Sequence, residues 1–102
     1  MKECCVAYMN EQFGNDAELV KEIYGEYVSS IRVKIGEAEK ALAADDWEQL
    51  DRVAHTVKGN ALTAGDNEMA QVAIELRSTS QLHDHEQSAA LISRLRGLEE
   101  QL

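Results

Sequence analysis

Apolar residues recur three and four positions apart almost from end to end of this chain, and no proline interrupts them anywhere in its 102 residues. That spacing follows the turn of an α-helix rather than the two-residue alternation of a strand, so it predicts an all-helical fold. Val6, Met9 and Phe13 mark a short first helix over residues 4–13, closed by Gly14. Asn15 with Glu18 has the form of a capping box and opens a long second helix, 16–43, with the stripe Leu19, Ile23, Tyr27, Ile31, Ile35, Ala38 and Leu42. Asp45 with Glu48 repeats that signature before a third helix, 46–64. Its buried side is Leu50, Val53, Ala54, Val57, Ala61 and Ala64, and Gly65 is its stop. Asp66 caps a fourth helix, 67–82, through Met69, Val72, Ala73, Leu76 and Ser80. Asp84 with Gln87 begins a fifth, 85–101, through Leu91, Ile92, Leu95, Leu98 and Leu102.

Connections this short make successive helices antiparallel. The expected fold is all-α, an antiparallel up-and-down four-helix bundle with a short additional N-terminal helix over one end. A chain of this length supports one hydrophobic core, so residues 1–102 are expected to form one domain.

Nineteen Asp and Glu against ten Lys and Arg give a net charge of −9, which repels phosphate backbones and anionic headgroups alike. Protein partners are therefore expected, with no nucleic acid and no membrane, and the chain itself is expected to be a monomer. The only cysteines, Cys4 and Cys5, are adjacent rather than spread as a bridging framework, which suits a reduced, cytoplasmic setting. Neither a signal peptide nor a membrane anchor is visible. His83 and His85 flank Asp84 beside Glu86, but side chains two apart at a helix start diverge, and no metal site or cofactor is expected there. A P-loop, a nucleophile elbow and a dinucleotide fingerprint are all absent, which removes support for an autonomous ATPase, hydrolase or dehydrogenase.

The third helix carries the chemistry. With Val57 at the centre of its buried face, the two-residue step back to His55 turns it by roughly 160°, out toward solvent. Lys58 and Gly59 follow it three and four residues on, and Leu62, Asp51, Glu48 and Arg52 complete the same face. Imidazole offers a neutral nucleophilic nitrogen near neutral pH without a second residue to deprotonate it, so a phosphoryl group can be parked there. Lys58 would then compensate the added charge and donate to the phosphoryl oxygens. Gly59 would leave room for a partner's active site to reach the histidine. Asp51, one turn before His55, is placed to accept a hydrogen bond from the ring.

The run Ala54-His55-Thr56-Val57-Lys58-Gly59-Asn60-Ala61, with Gly65 beyond it, resembles the motif of histidine phosphotransfer domains. The likeness extends to the Asp-Asp-Trp lead-in at 45–47, to Tyr27 on the preceding helix and to the stripe of Met69, Ala73 and Leu76. The resemblance implies a four-helix bundle without kinase activity, phosphorylated on His55 by a receiver domain's aspartyl phosphate and passing the group to another receiver. Response-regulator receivers and a hybrid sensor kinase are the implied partners, and magnesium belongs to the receiver. Two residues depart from the family's usual pattern: Asn60 replaces a small Ser or Ala, and Arg77 stands where an acidic residue is frequent. The alternative is a non-catalytic helical interaction module that keeps the bundle and its docking face. Retention of both His55 and Lys58 favours the phosphocarrier.

Overall fold

A computed structural model describes residues 1–102 and contains five helices with no strand. These are α1 (Glu3–Phe13), α2 (Ala17–Ala43), α3 (Trp47–Thr63), α4 (Asn67–Gln81) and α5 (His85–Glu100). Helices α2 to α5 pack in a closed ring, each against its sequence neighbours and α5 back against α2, while α1 lies on α2. The molecule is 43 Å long and about half as wide, so the 27-residue α2 runs nearly its whole length.

One turn design recurs at the junctions. In Asp45-Asp46, Gly65-Asp66 and His83-Asp84 the first residue is left-handed, with φ of 53°, 74° and 55°. The aspartate after it donates its N–H to a carbonyl five residues back, at 2.8 to 2.9 Å, closing the earlier helix as a Schellman motif. The same aspartate then caps the next helix by accepting from the N–H three residues on, at Gln49, Met69 and Gln87. At the first junction Gly14 and Asn15 are both left-handed, and Asp16 accepts from Leu19 N–H. The caps of α2 and α3 are therefore Asp16 and Asp46, not Asn15 and Asp45. Asn15 and Asp45 instead take left-handed conformations, which their short polar side chains tolerate.

The core holds the expected apolar residues of α3 and α4, with Ile92, Leu95 and Leu98 from α5. Two stripes are corrected. On α1 the buried residues are Cys5 and Met9, and Phe13 is exposed. On α2 the first turns bury Val20 and Tyr24, and Leu19 is exposed because the buried face at this end runs through Val20, Tyr24 and Tyr27, one residue round the helix from it.

A polar network pins α1 to the end of the bundle. The fully buried Asp66 accepts from Lys2 Nζ at 2.8 Å, Tyr27 Oη at 2.8 Å and Met69 N–H at 3.3 Å. Gly65 is required here twice over. Its φ is positive, and a β-carbon would fall 2.4 Å from Tyr8 Cβ of α1.

Candidate functional site

The face of α3 opposite Val57 is open. His55 is exposed, on the side that the helical rotation assigns to it, and Ala54 and Val57 on either side are fully buried. Gly59 lies one turn on, and a β-carbon built there meets no atom within 4 Å. Packing therefore does not require glycine at this position. Thr63 Oγ1 donates to the Gly59 carbonyl at 2.9 Å, a bond that leaves the space above the glycine clear. Leu62 follows at 48% exposed, and Ile74 of α4 adds a second exposed apolar side chain at 42%. Both are solvated at an energetic cost that a docked protein surface would relieve.

The charged members of the face divide into paired and unpaired. Arg52 spans one turn to Glu48 at 3.0 Å and donates to Gln49 Oε1, so these mostly exposed charges answer each other along α3. Lys58 is half-buried and has no acidic partner, alone among the charged residues placed here by the sequence. It borders an open depression of about 230 Å³ lined with Ile74, Arg77, Ser78 and Gln81. Its ammonium has three donors free for an incoming anion.

Asp51 does not meet the imidazole. Its Oδ1 accepts from Arg77 Nε and from Gln81 Nε2, each at 3.2 Å. The Arg77 hydrogen bond holds the Asp51 carboxyl below its ordinary range, more than offsetting the opposing effect of burial. The ring's neighbour is Arg77 itself, with Nη1 3.1 Å from His55 Nδ1. Nε2 has no protein partner. Sequence spacing along α3 cannot reveal a contact made by α4, although the presence of arginine where acid is usual marked the position.

Histidines 83 and 85 have other work. His83 stacks on Trp47 with ring centres 5.0 Å apart, and His85 meets the same indole edge-on at 6.3 Å. They join the α4–α5 turn to the start of α3. Cys4, Cys5 and Asp66 present ligand-type atoms within 4.8 Å of one another, a grouping that the sequence does not suggest. Both Asp66 oxygens are already engaged, and burial pushes the Cys5 thiol up to about 12, so the cluster reads as packing.

A family model described as the Hpt domain matches residues 22–102, which include all four bundle helices but for the first turns of α2. The chain belongs to the Hpt domain family. No curated protein and no solved structure matches it. Hpt domains carry phosphoryl groups on histidine in phosphorelays and interact with receiver domains; they are not kinases. No helix of this Hpt domain is long and apolar enough to cross a membrane. Both of its departures from the usual pattern make defined contacts, Asn60 donating to Ser30 Oγ of α2 at 2.8 Å and Arg77 covering one nitrogen of His55.

Proposed function

We propose that His55 is the phosphoacceptor, taking a phosphoryl group from the aspartyl phosphate of one receiver domain and returning it to the aspartate of another. The observation that carries this reading is an exposed imidazole with an unpaired ammonium, Lys58, and an open glycine, Gly59, one turn away on the same face. Nε2 is the reacting nitrogen, since it is the ring nitrogen with no protein partner, and it reacts once it carries the lone pair. Its lone pair attacks phosphorus, the bond from phosphorus to the aspartyl oxygen breaks, and the carboxylate leaves. Lys58 positions the phosphoryl oxygens and offsets charge added to a chain already at −9. Leu62 and Ile74 give the docked receiver an apolar contact, with Glu48, Asp51 and Arg52 at its edge. The chain needs no metal of its own, magnesium and its acidic ligands being the receiver's, and acts as a cytoplasmic monomer.

The test is incubation with a phosphorylated receiver. Acid-labile, base-stable phosphate should appear on the chain, persist in His83→Gln and His85→Gln, and vanish in His55→Gln with helical content and melting unchanged. Phosphate on another histidine, or cooperative loss of structure in His55→Gln, would overturn the assignment. A chain that binds the receiver and never takes phosphate is the interaction module instead.

A further inference from the structure

We infer that Arg77 is a gate on His55, holding the imidazole in the tautomer that cannot accept a phosphoryl group until a partner draws the guanidinium away. The inference deepens the reading of His55 as phosphoacceptor and rests on it. Arg77 Nη1 stands 3.1 Å from Nδ1, within hydrogen-bond reach. A guanidinium has five N–H donors and no acceptor, and it keeps its proton at every pH of interest. An N–H on Nδ1 would point at another N–H, so Nδ1 must present its lone pair. A neutral imidazole has a single N–H, which is then on Nε2.

The resting site is closed at both nitrogens. Nδ1 has the lone pair but lies under Arg77, whereas Nε2 is free of the protein but protonated. The guanidinium is held in place from behind, because its Nε donates to Asp51 Oδ1, the oxygen that also takes the Gln81 amide. Asp51 is thus a positioning residue acting through Arg77. Lys58, by contrast, has no contact with the ring.

Opening the gate conserves the proton. An aspartyl phosphate brought against the face offers oxygens that compete with Nδ1 for the Nη1 donor. Once Nη1 leaves, the ring releases its Nε2 proton to water and takes one up at Nδ1, with no net change. The Nε2 lone pair then attacks phosphorus, the P–O bond to the receiver's aspartate breaks, and the electron pair leaves with the carboxylate. The product bears phosphate on Nε2 and hydrogen on Nδ1, a state in which Arg77 cannot return to the ring.

The test reads the tautomer directly, by long-range proton–nitrogen correlation spectra of the full chain labelled on histidine nitrogen, at a pH where imidazoles are neutral. His55→Gln assigns the signals. In wild-type protein Nδ1 of His55 should be the unprotonated nitrogen. Arg77→Gln, whose amide oxygen can accept from Nδ1, and Arg77→Met, which keeps an apolar stem without a donor, should both raise the Nδ1–H population. Phosphoryl transfer from a saturating phosphorylated receiver should rise several-fold in both. A wild-type ring already protonated at Nδ1, tautomer populations unmoved by either substitution, or a rate that falls while the tautomer shifts would each overturn the gate. Since the spectra contain no receiver, a chain that never accepts phosphate defeats the acceptor reading while leaving the tautomer result intact.

Discussion

Asp66 and Asp51 are two carboxylates given similar partners and opposite surroundings. Asp66 is wholly buried and commits both oxygens, Oδ2 to Tyr27 and Oδ1 to Lys2 and Met69 N–H, joining α1, α2 and α4. Asp51 keeps 28% of its side chain in water and spends one oxygen, at 3.2 Å, on Arg77 and Gln81. Burial makes the first arrangement costly to disturb, because any group left without its partner is stranded away from solvent. Water stands ready to replace either partner of the second. The chemistry of a carboxylate and a cation is therefore structural at one end of this bundle and adjustable on the His55 face.

The largest effect should come from Asp66→Ala, which removes a helix cap, strands the buried Tyr27 hydroxyl and leaves Lys2 only its longer contact with Glu68 at 3.4 Å. A loss of about 3 kcal/mol is expected, roughly a hundredfold in the folding equilibrium. Asp51→Ala should cost less than about 1 kcal/mol. Urea unfolding of the two variants measures the contrast, and equal losses would erase it. The Tyr27 hydroxyl in that buried network is raised well above an ordinary phenol by desolvation and then by the Asp66 hydrogen bond, so it stays a donor throughout the working pH range.

A smaller effect, on rate rather than stability, is expected at Lys58 and Gly59. Lys58→Ala should slow phosphoryl transfer about tenfold without abolishing it, since the ammonium positions charge and forms no bond. Gly59→Ala should stabilise the chain by up to about 1 kcal/mol, and Gly59→Gln should leave it no less stable. Transfer should nevertheless fall from Gly to Ala to Gln as the side chain fills the approach to His55. Rates that track thermal unfolding instead would return Gly59 to a purely backbone role and blur the line between the two regions.

The smallest effect is in the pH dependence. Arg77 lowers the Asp51 carboxyl below its ordinary 3.8, so the stability it contributes is complete above that value. It is lost as pH falls through the lower, folded-state value. Unfolding midpoints of wild type and Asp51→Asn should keep a small constant separation from neutral pH down to about pH 5 and begin to close below it. A separation that changes between pH 5 and 8 would place the responsible group elsewhere.

Helical periodicity made the bundle legible, and on α3 a single rotation about Val57 was enough to put His55 outside. The same reasoning failed where a helix starts. Leu19 continues the apolar stripe of α2 by spacing, but the face that is covered there is centred one residue on, at Val20 and Tyr24. Asn15-Asp16 and Asp45-Asp46 each offer two capping residues in a row, and the choice depends on which one the preceding helix has already turned left-handed. Arg77 illustrates a different limit. Its contact with His55 joins residues 22 apart through the packing of α3 on α4, and no one-helix pattern encodes that register.

The doubly used aspartates leave the connections without slack. Asp46, Asp66 and Asp84 each end one helix and begin the next, so an inserted residue must either break one of those ends or turn the following helix by about 100°. At Gly65-Asp66 that turn would carry the α4 face bearing Arg77 away from His55. Substitution is freer than insertion at two of these turns, since Asp45 and His83 are unlike residues at one geometric position, whereas Gly65 is fixed by its contact with Tyr8. Such a scaffold can diversify the chemistry of its docking face while its chain length between helices stays frozen, and its relatives should differ in what they recognise far more than in where the histidine stands.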